Sequence, residues 1–321
     1  MTKQRVLITR RVPPPAVKLL ADAGCVVDLV DQDDPPTRAV LLERVGGASA
    51  LVTMLSERVD AELLAAAGPT LRVVANFAVG YDNIDLAACK QHGVRVTNTP
   101  GVLTDATADL AWALILSVAR RVVEGDHLVR AGHWTGWAPL QYLGLQLTGS
   151  TLGLVGAGRI GTAVGLRSVG FGMQVLYADE HPSAELEQRV DARRVPLEQV
   201  IRAADVLSLH VPLTPQTRHL IGAAQFAQMK PTAVLVNTSR GSVIDEAALV
   251  EALRAKRIAG AGLDVYEREP HLTAGLAELP SVVLLPHLGS AATTTRQKMS
   301  AMVAENVLAV LAGREPPNPV V

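Results

Sequence analysis

Short apolar runs alternate with helix-length segments along nearly the whole chain, and this alternation limits the fold more than any single motif. The runs fall at residues 5–9, 26–30, 50–54, 71–77 and 94–97, and again at 151–155, 174–178, 205–211, 233–237, 259–265 and 282–285. Strands separated by helices cannot pair as tight hairpins; they line up in parallel, with the helices covering the sheet faces. At 321 residues the chain exceeds the roughly 250–300 at which one core stops growing. Two doubly wound α/β domains are therefore expected, one for each series of runs.

A helical pattern over residues 102–131, opening after Pro100-Gly101, reads as one long helix suited to bridging the domains, and a loop bearing Trp134 and Trp137 follows it. A last helix is expected over residues 293–311. Because His287 stands just before that helix, the helix is assigned back to the first domain, which becomes discontinuous. The expected division is residues 1–100 with 290–321, and residues 101–289.

Apolar residues make up 49% of the chain and aromatics only 3%, so the cores must be aliphatic. The 30 Lys and Arg nearly balance the 31 Asp and Glu without a basic stripe, which argues against nucleic acid as a partner. Met1 to Arg10 lead directly into the first strand without the apolar stretch and cleavage site of a signal peptide, and no run approaches the ~18 apolar residues of a membrane span. Cys25 and Cys89 lie in segments that read as buried, with none of the spacings of a zinc site or a disulfide framework. A metal-free protein of the reducing cytoplasm is expected.

Gly156-Ala157-Gly158-Arg159-Ile160-Gly161 is a weak signal by its pattern alone. Its context is stronger. Thr151-Leu152-Gly153-Leu154-Val155 reads as the strand entering the turn and residues 160–169 as the helix leaving it, whose free N–H groups and dipole suit a pyrophosphate. Asp179 ends the next strand, near the ~20-residue distance at which an acidic group accepts hydrogen bonds from ribose hydroxyls. The first turn of the chain, Arg10-Arg11-Val12-Pro13-Pro14-Pro15, has no such glycines. A dinucleotide is thus expected on the second domain.

Arg240, Glu269 and His287 follow later apolar runs, at the carboxyl edge of the strands where such sheets bind ligands. A guanidinium there can grip a carboxylate through two parallel charge-assisted hydrogen bonds. Histidine is the side chain best suited to give up and regain a proton near neutral pH, and an adjacent carboxylate favours its protonated form. Taken singly, each has an ordinary explanation: a salt-bridging arginine, a turn glutamate, a hydrogen-bonded strand-end histidine. Downstream of a cofactor turn they supply an anion clamp, an orienting carboxylate and a proton donor, which reads as a nicotinamide-dependent dehydrogenase of small 2-oxo or 2-hydroxy acids. His92, His127, His210, His219 and His271 have no such constellation and read as structural or solvated.

Longer motifs carry a family resemblance. Thr53-Met54-Leu55-Ser56, Asn76-Phe77-Ala78-Val79-Gly80-Tyr81-Asp82-Asn83-Ile84-Asp85, Thr97-Asn98-Thr99-Pro100, Asn237-Thr238-Ser239-Arg240-Gly241 and Pro286-His287-Leu288-Gly289-Ser290 stand in order around the glycine turn. With them, essentially the whole chain resembles the D-isomer-specific 2-hydroxyacid dehydrogenases, and within that family the glyoxylate/hydroxypyruvate reductases. The resemblance implies a flavodoxin-like substrate domain together with a Rossmann dinucleotide-binding domain, and Arg240, Glu269 and His287 as the catalytic trio. It implies that NAD contacts Gly156, Gly158, Arg159, Ile160, Gly161 and Asp179, then Val211, Pro212, Thr238, Ser239 and Arg240, and finally Thr107, Asp264, His287 and Gly289. The substrate would meet Leu55, the Val79-Gly80 backbone, Arg240, His287 and Trp137. NADH is expected over NADPH, since Asp179 would repel a 2′-phosphate and Glu180 stands where NADP-using reductases of this type carry Arg.

The implied reaction is reduction of a small 2-oxo acid, glyoxylate or hydroxypyruvate, to the D-2-hydroxy acid. The helical stretch and tryptophan loop resemble the arm by which family members wrap a second subunit, so a homodimer is expected, with Trp137 reaching the partner's active site. The loop around Ser56 offers only Arg58 where a phosphate would need several cationic donors. Two alternatives stay open. Phosphoglycerate dehydrogenase shares this core but carries an arginine-rich substrate loop where this chain has Met54-Leu55-Ser56-Glu57-Arg58; an NAD-sensing, co-repressor-like binding protein would keep a similar trio.

Overall fold

The computed structural model describes residues 3–321; Met1 and Thr2, where the expected cytoplasmic start begins, lie outside the described residues. The chain divides into two units, one running to Leu103 and resuming over Ser290–Val321, the other spanning Thr104–Gly289. In the first unit β1 (Arg5–Ile8), β2 (Val26–Leu29), β3 (Ala50–Thr53), β4 (Val73–Asn76) and β5 (Arg95–Thr97) form a parallel sheet in the order β2-β1-β3-β4-β5. That is the flavodoxin-like order.

Successive side chains of β1 serve opposite faces. Val6 and Ile8 pack with Val52 and Ala75 against Ala16, Leu20, Val303 and Val307, whereas Leu7 packs with Leu51 and Val74 against Leu41, Leu63 and Ala88. A parallel sheet needs this cover on both sides. The last helix, Thr293–Leu311, is fastened here by Ser300, whose hydroxyl accepts from the Ala16 amide at 2.8 Å and donates to the Pro13 carbonyl at 2.6 Å.

The second unit contains β6 (Thr151–Val155), β7 (Gln174–Ala178), β8 (Arg193–Arg194), β9 (Val206–Leu209), β10 (Val234–Asn237), β11 (Gly260–Leu263) and β12 (Val282–Leu284). They form one parallel sheet in the order β12-β11-β10-β9-β6-β7-β8. The chain moves outward from β6 to β8, then returns to the other side of β6 and moves outward again from β9. Such a reversal leaves a crevice above the carboxyl ends of β6 and β9. Every expected run holds a strand; β8 was not expected, because Arg193-Arg194 carries no apolar signal.

The single helix expected over residues 102–131 is two helices, Thr104–Ala119 and Val122–Arg130, separated at Arg121, whose φ is +53°. A continuing helix would offer the Ala119 carbonyl to residue 123; here it accepts from the Leu145 amide at 2.8 Å. The returning chain passes so close that a Cβ on Gly144 would lie 2.2 Å from that carbonyl oxygen. Arg121 lies over the Tyr142 ring at 4.6 Å and bonds to Glu124, fixing the break. The first helix is buried through Ala108, Ala111, Trp112, Leu114 and Ile115 against Leu152, Leu154 and Val236. The second buries none of its residues.

Among the described residues no helix is long and apolar enough to cross a membrane, and no group of three His, Cys, Asp or Glu residues could hold a metal ion.

Candidate active site and cofactor turn

Strand register brings three loop starts to one edge of the second sheet. Asn237 of β10 pairs with Leu263 of β11, and Leu263 with Leu284 of β12, so Arg240, Glu269 and His287 leave neighbouring strands at their carboxyl ends. Nδ1 of His287 lies 2.9 Å from Oε2 of Glu269, and Oε1 of Glu269 accepts from the Tyr266 amide at 3.0 Å. Burial pushes the Glu269 carboxyl up, but the hydrogen bond and charge of His287, the Tyr266 amide and the Arg240 charge outweigh it and hold the group below the ordinary carboxylate value. Glu269 is therefore charged at neutral pH. With Nδ1 facing it, Nε2 is the nitrogen of His287 left to exchange a proton with a ligand.

The backbone of His287 is in the left-handed region, with φ +53°, which non-glycine residues rarely adopt. Asp264 holds it there. Its carbonyl accepts from the His287 amide at 3.0 Å, and its carboxylate accepts from the Leu288 and Gly289 amides at 2.6 and 2.8 Å. Thr107 donates its hydroxyl to the Gly289 carbonyl at 3.0 Å. Burial raises the Asp264 carboxyl above its ordinary value despite those two donors and the charge of His287. Thr107, Asp264 and Gly289, which the resemblance assigns to the cofactor, are thus knitted to one another and to His287.

The Arg240 segment is shaped by the buried Asn237 side chain, which donates to the Arg240 carbonyl at 2.9 Å and accepts from the Ser239 amide and hydroxyl at 3.0 and 2.7 Å. At Gly241 a Cβ would stand 1.8 Å from the carbonyl carbon of Tyr266, so only glycine lets this segment lie on the Tyr266-Glu267 backbone. Two participants escaped the sequence reading. Tyr266 also donates its hydroxyl to the Leu285 carbonyl at 2.8 Å, and His219, read as structural or solvated, is paired with Glu267 at 2.6 Å. Neither residue belongs to a spacing that marks such contacts. His210 is half-buried, and the surrounding desolvation pushes its imidazole down to about 3.

The glycine turn fits a dinucleotide. Gly156 has φ +94° and a Cβ there would meet the His210 carbonyl carbon at 2.8 Å and Val211 at 3.0 Å; a Cβ on Gly161 would meet the Gly156 carbonyl oxygen at 2.1 Å. Gly158 is different, since a Cβ there would meet nothing within 4 Å. Internal packing therefore does not require glycine there, and its bare backbone is open to an incoming group. The helix Arg159–Arg167, which opens with exposed Arg159 and half-buried Ile160, has no side-chain cap, leaving its first N–H groups to an anion. Asp179 accepts from the Ala157 amide at 2.7 Å and the His181 amide at 3.0 Å, one per carboxylate oxygen. Farther along the same edge, Pro212 accepts from the Thr217 hydroxyl at 2.6 Å, and the buried Thr238 hydroxyl has no hydrogen-bond partner among the described residues.

Leu55, Val79 and Gly80 belong to the first unit. Leu55 lies in a loop organised by buried Glu57, which accepts from Thr9, Ser56 and the Met54 amide. Asn98 donates to the Val79 carbonyl at 2.8 Å and Asn76 to the Gly80 carbonyl at 2.7 Å. In a trans peptide this turns the Gly80 N–H away from Asn98. Arg58 is not the only cation on the Ser56 loop, as the sequence suggested: Arg10 reaches Ser56 as well, although its charge is paired with Glu57. Trp137, in the second unit, is 83% exposed and does not pack under its own loop.

Residues 112–289 match the family model described as "D-isomer specific 2-hydroxyacid dehydrogenase, NAD binding domain". A glyoxylate reductase of Thermococcus litoralis is 48% identical over 320 residues, covering 98% of this chain and 96% of that protein. Among solved structures, the TT0316 protein of Thermus thermophilus shares 48% identity with a TM-score of 0.93, covering 99% of this chain and 100% of that one. An NADPH-dependent glyoxylate/hydroxypyruvate reductase of Sinorhizobium meliloti, solved with NADP and malonate, shares 35% identity with a TM-score of 0.86, covering 100% of this chain and 97% of that one.

Proposed function

The chain belongs to the D-isomer-specific 2-hydroxyacid dehydrogenase family, and from that premise we propose that it reduces a short, unphosphorylated 2-oxo acid, glyoxylate or hydroxypyruvate, to the D-2-hydroxy acid with NADH. The observation that carries the proposal is the 2.9 Å contact between Glu269 and His287, on the same sheet edge as Arg240. Arg240 holds the substrate carboxylate. His287, protonated on Nε2, gives that proton to the alkoxide forming at the carbonyl oxygen. Glu269 keeps Nδ1 protonated, orients the ring and stabilises the imidazolium; a general acid so placed contributes typically about 10²–10⁴ in rate. When bound, the reduced nicotinamide supplies the hydride.

Preference for NADH rests on Asp179, which offers acceptors to ribose hydroxyls and repulsion to a 2′-phosphate. Nearby Arg194 donates to the carbonyls of Asp179 and Glu180 at 2.9 and 2.6 Å, so those N–H groups secure the strand end instead of awaiting a phosphate. The choice of an unphosphorylated substrate rests on the Ser56 loop, where Arg10 is neutralised by Glu57 and Arg58 is paired with Asp60.

The arm is assigned to a second copy of the chain. Val122, Val129, Trp137, Leu140 and Leu143 are each more than half exposed on it, and an apolar surface of that kind marks a partner contact. Cys25 and Cys89 are free thiols, in keeping with a reducing cytoplasm.

Steady-state kinetics with glyoxylate, hydroxypyruvate, pyruvate, a bulky aromatic 2-oxo acid and phosphohydroxypyruvate, each with NADH and NADPH, test the reading. Glyoxylate or hydroxypyruvate with NADH should give the highest kcat/KM. A clear preference for the aromatic or phosphorylated acid, or binding of NADH without turnover, defeats it.

A further inference from the structure

Tyr266 touches all three segments that carry Arg240, Glu269 and His287. Its backbone is the surface on which Gly241 lies, closely enough that a Cβ on Gly241 would come within 1.8 Å of the Tyr266 carbonyl carbon. Its amide donates to Oε1 of Glu269 at 3.0 Å, while its hydroxyl crosses to the neighbouring strand end and donates to the Leu285 carbonyl at 2.8 Å, two residues before His287. Oε2 of the same Glu269 holds Nδ1 of His287 at 2.9 Å. These contacts close a ring that runs from the Tyr266 amide through Glu269 to His287, and back through Pro286 and Leu285 to the Tyr266 hydroxyl.

We infer that Tyr266 is a positioning residue of the acid–base pair, its hydroxyl setting, through Leu285, how closely the His287 ring meets Glu269. The kinetic consequence rests on the proposed reductase reading; the geometric one does not. Burial, with the negative charges of Asp264, Glu269 and Glu246 beside it, pushes the Tyr266 phenol up to about 12, so the hydroxyl stays a neutral donor wherever His287 titrates. Leu285 is also held by its own amide, which donates to the Leu263 carbonyl at 2.9 Å. Loss of the hydroxyl therefore loosens the segment without unravelling it. Among the charges acting on the pair, Glu269 and Asp264 bear on His287, and Asp264 and Arg240 on Glu269.

Tyr266→Phe in the full chain isolates the hydroxyl, since it keeps the ring and the amide. The titration of His287, followed by NMR of histidine-labelled protein with His287→Ala to identify its signal, should move down by about half a pH unit, because the imidazolium loses part of the carboxylate's field. With NADH and glyoxylate, kcat should fall about 3- to 10-fold while both KM values stay within about twofold. A purely structural role would lower the melting temperature and leave the titration where it was. An unmoved titration overturns the inference, whatever the rate does. The NMR measurement needs no turnover, so failure of the wild-type chain to reduce 2-oxo acids would defeat the proposed reaction alone.

Discussion

The Asp264 carbonyl accepts the backbone N–H of His287 at 3.0 Å, and the Asp264 carboxylate takes the next two amides along the chain. Together these bonds hold His287 at a φ of +53°. A non-glycine residue in that region costs about 1–3 kcal/mol and persists only where its surroundings over-determine it. His287 is thus aimed by a buried carboxylate just past the end of the neighbouring strand.

Asp264→Asn should break this hold, because one carboxylate oxygen becomes an NH₂ group facing a backbone N–H. An unsatisfied buried donor costs about 1–3 kcal/mol, so a measurable drop in melting temperature is expected. Turnover of glyoxylate should fall at least about tenfold as His287 relaxes from its orientation. Calorimetry and steady-state kinetics check both; wild-type values in each would show that the amide clamp is dispensable.

Glu269→Gln should move the pH profile. In the wild type the folded-state carboxyl lies below its ordinary value of 4.5. The stability it adds is therefore present above 4.5 and is lost only as pH falls through the lower folded value. Across the neutral range it stays charged and favours protonated His287. Without that charge the imidazole releases its proton at lower pH, so the alkaline limb of kcat for 2-oxo acid reduction should shift downward. A limb that stays in place would mean that Glu269 does not act on His287.

Arg240→Ala and His287→Ala should fail differently. Two charge-assisted bonds to the substrate carboxylate are worth about 3–6 kcal/mol, so removing the guanidinium should reduce kcat/KM by roughly 10²–10⁴. Arg240→Lys should recover little, because an ammonium lacks the planar fork. His287→Ala should act chiefly on kcat. Near-native rates in these variants would remove both residues from the mechanism.

How much of this was legible in the sequence varies with the range of the interactions involved. The limits of β6 and β7 could be read because each is an apolar run bounded by turn residues, and the shared sheet edge of Arg240, Glu269 and His287 because each follows such a run. β8 could not, since Arg193-Arg194 is held by pairing with β7 alone. The break at Arg121 was hidden because its cause, the return of Gly144 and Leu145 onto Ala119, lies more than twenty residues away. The hold on His287 was hidden for the same reason. The resemblance gave Asp264 only as a cofactor contact, and its service to the amides of Leu288 and Gly289 depends on the register of β11 against β12.

The exposed arm gives an expectation in solution. If Val122 and Val129 meet a second copy, light scattering should report about twice the 33.9 kDa chain mass, and Val122→Glu with Val129→Glu should yield monomers by burying charge in an apolar interface. An active wild-type monomer at assay concentrations would refute the dimer.

Asp179 should decide the cofactor. Its two oxygens each accept one backbone amide, Ala157 and His181, which orients the carboxylate and leaves a lone pair on each oxygen for a ribose hydroxyl. A 2′-phosphate would instead bring a second negative charge against it, and such juxtaposition costs several kcal/mol. NADH should therefore exceed NADPH in kcat/KM by about 100-fold, or roughly 2.7 kcal/mol. Asp179→Asn tests charge separately from shape: it keeps an acceptor for the Ala157 amide while removing the repulsion, so discrimination should fall to about tenfold or less. Asp179→Ala also removes that acceptor and should weaken both cofactors while narrowing the gap between them. Stopped-flow binding and steady-state kinetics with each nucleotide distinguish these cases, and a wild-type preference for NADPH would end the assignment of Asp179 to the ribose.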